Sequence, residues 1–286
     1  MTPADMDGLV IGPVIHRVDR ERIESFVEAT GDVADRWIGV APPGYAAVLL
    51  FRVAGDFLWD PRISAFIKTL IHVDQMFTYL SPIYEGDEIV VTGTVDRVRE
   101  RSGSYFVTFN ATAEAGDRTV LDSRSTFLMS EQAAGEPGVD EGEPPADERA
   151  ANEEPTKRAL PASGAQDAIA RSASRADLVR YSAATADFNP LHWDHDSARA
   201  AGLDGVVVHG LLLNAWLTQH AAAFAEGEAP VASIKTRFRN ALRPAVAAST
   251  VASADVGDQD TKVSLQLNAK DATIVTAEAT IRGVTP

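Results

Sequence analysis

Asp187 and His192 stand five residues apart across an Asn-Pro step, in the stretch 185-TADFNPLHWDHDSARAAG-202. A carboxylate and an imidazole held at one corner can serve two protons of one small substrate, one group accepting while the other donates. A separation near the span of a single water molecule suits adding or removing water. Two other readings explain parts of the same stretch. Asn189 is a good helix N-cap, and Pro190 then sits at the first helical position, where its missing N–H costs nothing. That helix is expected to run through LHWDHDSARAAG and stop near Gly202, with Asp194 and Asp196 complementing its dipole. On it His192, His195 and Asp196 share one face at i, i+3 and i+4, a spacing that offers metal ligands. The cap gives no reason for Asp187 or His192, and His-x-x-His-Asp is too short to specify an ion, so no metal is expected.

An acid/base pair needs rigid elements behind it. The pattern 175-RADLVRYSAATAD-187 is helical and ends at Asp187. The run 205-GVVVHGLLLNAWLTQHAAAFA-225 has the length of a membrane span, but two histidines, Asn214 and Gln219 interrupt it, so it reads as a buried core helix. Period-two alternation then predicts strands over 231–242, 246–256, 261–270 and 273–283. The first half repeats this order. A helical pattern covers 18–32, a less distinct one covers 43–57, and strands are expected at 69–80, 87–98, 104–115 and 118–129. Phe77 and Pro82 answer Phe238 and Pro244, while Asp32 of ATGD answers Asp187 of ATAD. Such a duplication implies two copies of one α+β unit packed as a pseudo-dimer. A helix apolar on all sides must be covered by the sheet beside it, which makes each copy a hot-dog and the fold class an α+β double hot-dog. Residues 131–164, rich in Glu, Asp, Ala, Gly and Pro, read as a flexible acidic linker between an N-terminal domain, 1–130, and a C-terminal domain, 165–286.

Composition narrows the function classes. With 45% hydrophobic and 23% charged residues, the chain reads as soluble and globular. A net charge of −15 speaks against nucleic acid and anionic membranes as partners. The absence of cysteine rules out disulfides, thiol nucleophiles and Cys-based zinc sites. The first residues lack a basic stretch followed by an apolar core, so no secretory signal is expected and a cytoplasmic location is.

From ATADFNPLHWDHDSARAAGLDGVVVHGLLLNA onward the chain resembles the MaoC-like dehydratases, also called type-2 or R-specific enoyl-CoA hydratases. The likeness rests on Asp187, Asn189, Pro190, Leu191 and His192, followed by the VVHG motif with His209 and Gly210, and it extends over most of 165–286. The first half resembles the N-terminal domain of two-domain members, above all at IHVDQMFTYLSPIYEGDEIVVTGTV. The resemblance implies reversible hydration of trans-2-enoyl thioesters to (3R)-3-hydroxyacyl thioesters. Coenzyme A or acyl carrier protein is then part of the substrate, with no further cofactor. Asp187 and His192 would be the catalytic pair. Asn189 would orient the water or the histidine, or serve only as the cap. The Gly210 N–H would hold the thioester oxygen, with His209 structural. Thr218 is either a hydroxyl near Asp187 or a buried group bonded to its own helix. Lys235, Arg237 and Arg239 share one strand face and would meet coenzyme A phosphates or an acidic carrier, unless they are only a solvated face. The first half keeps Asp32 but lacks Asn-Pro-Leu-His, so it is expected to be non-catalytic and to accommodate the acyl chain. Residues 43–51 either line that space or are plain core. A hot-dog thioesterase and a non-catalytic acyl-binding subunit are the alternatives, and the assembly is either a homodimer or a pseudo-dimeric monomer.

Overall fold

In the computed structural model, which describes residues 1–133, 135, 167–257 and 260–283, the alternating runs become long strands. The first half holds β1 (Val10–Arg17), β2 (Thr69–Tyr79), β3 (Glu88–Arg101), β4 (Ser104–Ala115) and β5 (Arg118–Ser130). The second holds β6 (Ile169–Arg171), β7 (Val231–Phe238), β8 (Ala248–Val256), β9 (Asp260–Ala269) and β10 (Ala272–Arg282). They form one sheet in the order β1-β3-β4-β5-β2-β7-β10-β9-β8-β6, so the two halves repeat one strand order outward from the β2–β7 seam. With Phe77 matched to Phe238, Gln75 corresponds to Thr236, and these two are cross-strand partners. The pseudo-two-fold axis therefore passes through that pair.

The helices are α1 (Arg20–Thr30), α2 (Ala46–Leu58), α3 (Arg175–Thr185), α4 (His195–Ala200) and α5 (Gly210–Ala222). Each half wraps its sheet around one apolar helix, α2 or α5, which is the double hot-dog read from the sequence. Every residue of α5 after Gly210 is buried, and Asn214, Thr218, Gln219 and His220 each make at least one internal hydrogen bond. Asn214 accepts from the Thr236 hydroxyl at 2.5 Å, Gln219 donates to the Thr30 carbonyl at 3.3 Å, and His220 bonds the Thr250 hydroxyl at 2.8 Å. These bonds are what allow polar groups inside an otherwise apolar core. No helix among the described residues is long and apolar enough to cross a membrane. Phe26 of α1 and Tyr181 of α3 meet with ring centroids 6.3 Å apart, tying the halves together a second time.

Three expectations need correction or completion. β1 escapes alternation because Gly12 and Pro13 interrupt it, with a register shift between Ile11 and Val14. It survives as a strand because it lies at the sheet edge, where a missing N–H is tolerated. β6, three residues long, is too short to show a period. The helix expected from Asn189 to Gly202 is broken. A 3-10 turn covers Pro190–His192, after which the Asp194 carboxylate accepts from the Asp196 and Ser197 N–H groups and starts α4 afresh. His192 therefore does not share a helix face with His195 and Asp196, and that metal reading falls. Almost all of the proposed linker, 131–164, lies outside the described residues.

Candidate active site

α3 delivers the acid. Its last turn closes on Ala186, which takes the left-handed conformation at φ 66° and swings the chain inward at Asp187. The matching position in the first half, ahead of Asp32, is Gly31 at φ 62°. Asp187 is 6% exposed; its N–H reaches the Thr185 hydroxyl at 3.3 Å, and its carboxylate accepts from the Asn189 N–H at 3.4 Å. The Asn189 side-chain oxygen accepts from the Leu191 N–H at 3.2 Å, so its cap is real. That cap turns the chain so that His192 points back toward Asp187.

The imidazole is held from two sides. His192 Nδ1 lies 2.8 Å from the Val207 carbonyl oxygen. A carbonyl can only accept, so Nδ1 carries the hydrogen and Nε2 is the basic nitrogen of the neutral ring. The His209 ring stacks on His192 at 3.7 Å and 27°. His209 Nε2 is itself anchored by the Ser182 hydroxyl at 3.0 Å, with the Asp187 carbonyl at 3.3 Å. An Asp187 carboxylate oxygen and one ring nitrogen from each histidine lie within 4.8 Å of one another. A single water can bridge such a gap with two ordinary hydrogen bonds. The same three atoms are close enough for a metal ion, but stacked rings aim their lone pairs side by side rather than at one point. The geometry suits proton transfer better.

Burial tunes the pair in opposite directions. It pushes the Asp187 carboxyl up to about 7, against the pull of the Asn189 N–H. It pushes His192 down to about 4, against the bond to Val207. The uncharged form of each group is the one a low-dielectric site favours. Between about 4 and about 7 the pair thus holds one proton, on Asp187.

Asp187, Asn189, His192 and Gly210 line one cavity of about 280 Å³. Gly210 opens α5, where the N–H groups of a first turn have no partner within the helix. A Cβ there would sit 3.3 Å from the Phe238 ring, so glycine lets that ring and a ligand approach the backbone closely. Arg239 also lines the cavity, and the remaining wall is largely apolar and comes from both halves, including Phe51, Leu58, Trp59 and Phe127 from the first. Within 43–51 only Phe51 reaches the space; residues from Tyr45 to Leu50 are core.

Other residues singled out from the sequence sit elsewhere. Thr218 donates to the Asn214 carbonyl at 2.7 Å inside α5 and is not among the cavity-lining residues. Lys235 and Arg237 lie on the outer face of the sheet, in an open groove shared with Arg124, Asp74 and Glu278; Arg239 lines both groove and cavity. Around Asp32, Tyr45 and Ala46 stand where the second half has His209 and Gly210, and Arg36 is spent bonding the Ala222 and Ala225 carbonyls at 2.6 and 2.7 Å. Sequence reasoning missed the Val207 carbonyl, Phe238 and His72. No side-chain type signals a backbone acceptor, and the other two reach the cavity only because β2 and β7 meet.

Comparison with known proteins bears on the family and the fold. A family profile described as "MaoC like domain" matches residues 153–274, and one described as "FAS1-like, dehydratase domain region" matches 6–122. A UPF0336 protein of Streptomyces griseus is 33% identical over 104 residues, covering 32% of this chain and 69% of that protein. A solved MaoC-like dehydratase superimposes with a TM-score of 0.77 at 19% identity, over 98% of this chain and 99% of the other. A Mycobacterium tuberculosis protein described as having a double hot-dog fold superimposes with a TM-score of 0.64 at 13% identity, over 96% of each chain.

Proposed function

From the premise that this chain belongs to the MaoC-like dehydratase family, we propose that it interconverts trans-2-enoyl thioesters and (3R)-3-hydroxyacyl thioesters. The observation that carries the reading is the buried Asp187/His192 pair, with a carboxylate oxygen and a ring nitrogen within 4.8 Å of each other beside the open end of α5. In the dehydrating direction His192 Nε2 takes the C2 proton, and the electron pair of that bond moves toward the thioester carbonyl. The Gly210 N–H holds the oxygen as its charge grows, a contribution typically worth a factor of about 10²–10³. The charge then returns to form the C2=C3 bond, the C3–O bond breaks, and Asp187 gives its proton to the departing hydroxyl, which leaves as water. Hydration is the same path reversed. Both groups approach from one wall, so hydrogen and hydroxyl leave from the same face of the substrate.

The cavity of about 280 Å³ is walled largely by apolar side chains, which suits an acyl chain. The acyl carrier, coenzyme A or a carrier protein, is proposed to leave past Arg239 toward Lys235 and Arg237 in the outer groove. The decisive experiment follows the enoyl-thioester absorbance of crotonyl-CoA and a longer 2-enoyl-CoA. Wild type should hydrate at least one of them, whereas Asp187→Asn and His192→Ala, both folded, should lose about 10²–10⁴-fold in rate. Full activity in both variants, or free coenzyme A as the product, would overturn the assignment.

A further inference from the structure

The first half contributes more than apolar wall. His72 of β2 lines the same cavity as Asp187, His192 and Gly210. Its Nε2 is buried and has no hydrogen-bond partner among the protein atoms. The ring also has polar interactions with its own strand, at the Asp74 backbone and the Gln75 side chain. Leaving a buried ring nitrogen unpaired costs free energy, and native structures seldom do so without a use for it.

The backbone explains how the residue comes to be there. β2 and β7 pair from Asp74 to Thr78, opposite Arg237 to Ser233, and His72 and Phe238 lie just past the end of this ladder. Between His72 and Asp74 the pairing of β2 with β5 shifts register, placing an extra residue in β2 at that point. A bulge of this kind re-aims the neighbouring side chain, and bulges recur beside binding sites. The ring is then fixed between Phe127 and Phe238, with centroids at 4.7 and 5.0 Å. Phe238 is also the ring that a Cβ on Gly210 would crowd, so His72 stands one aromatic side chain away from the proposed oxyanion position.

Building on the proposed function, we infer that His72 is a substrate-recognition residue, supplied by the non-catalytic half, whose Nε2 hydrogen-bonds an uncharged polar group of the acyl thioester. Burial pushes the imidazole down to about 4, so it meets the ligand as a neutral ring. A single neutral hydrogen bond among apolar walls suits a hydroxyl or amide rather than an ion. Such a group can come from an oxygenated acyl chain or from the amide-bearing arm of coenzyme A.

The test compares wild type with His72→Phe, which keeps an aromatic ring between Phe127 and Phe238, and with His72→Gln, which keeps a hydrogen-bonding group. Binding is read calorimetrically with saturated hexanoyl-CoA and with hexanoyl-CoAs hydroxylated at C4, C5 or C6. These ligands need no turnover, so the result stands apart from whether the chain hydrates enoyl thioesters. Loss of one hydrogen bond should weaken binding roughly five- to tenfold in His72→Phe, with partial recovery in His72→Gln. A loss confined to one hydroxylated ligand places the partner on the acyl chain. An equal loss for every coenzyme A thioester, absent when the same acyl groups are offered as S-ethyl thioesters, places it on the carrier arm. Unchanged affinity for all ligands in folded His72→Phe overturns the inference.

Discussion

At the scale of residues, the proposed site places two titratable groups where burial disfavours the charge of each. Asp187 is raised to about 7 and His192 lowered to about 4, each by burial. The proposed elimination needs the proton on Asp187 and a bare Nε2 on His192. Above about 7 the carboxyl loses the proton it must donate; below about 4 the imidazole can no longer accept one. The kcat/KM profile should therefore be a bell with limbs near those values, and the same bell should appear in both directions because both use the one-proton state of the pair. A profile flat from pH 5 to 9 would remove Asp187 from the acid role. The arms belong to the coupled pair rather than to either group alone. Asp187→Asn should abolish the bell, since the remaining group has no partner with which to share a proton.

At the scale of elements, much was legible because hydrophobic period is a local signal. The eight longer strands after Gly44 declare themselves by alternation, and α5 by being apolar all round. That Asp187, His192 and Gly210 meet in one cavity was legible too, since their motifs form a long, ordered match. The pieces that escaped depend on distant partners: β1 needs a sheet edge, β6 needs β8, and the Val207 carbonyl matters only once His192 turns back to it. The break after His192 is local but competitive, because Asp194 caps more strongly than a continuing helix would gain. Ala186 carries a related cost. A residue with a Cβ in the left-handed region is strained by about 1–2 kcal/mol, and the first half avoids this by using Gly31. Ala186→Gly should therefore stabilise the protein by about 1 kcal/mol, or roughly 2–4 °C in Tm. Calorimetry on the two proteins checks this; a lower Tm would mean that the Ala186 methyl packs more favourably than the turn is strained.

At the scale of the whole molecule, one chain does what two hot-dog protomers would do together. The seam is a shared β2–β7 ladder backed by the contact of α1 with α3, and the candidate site draws its chemistry from one side and much of its wall from the other. Separating the halves would expose the paired edges of β2 and β7 and open the cavity along His72 and Phe238. Covalent continuity, by contrast, runs only through the acidic stretch 131–164, whose composition gives it little apolar surface to bury. A protease site placed near its middle should thus be cleavable without consequence. After cleavage the two fragments should elute together under native conditions and keep the hydration rate of the intact protein. The isolated second half, residues 165–286, should lose that rate although it retains Asp187, His192 and Gly210. Fragments that separate on cleavage, or a second half that is fully active alone, would show that the first half is an appendage and not part of the site.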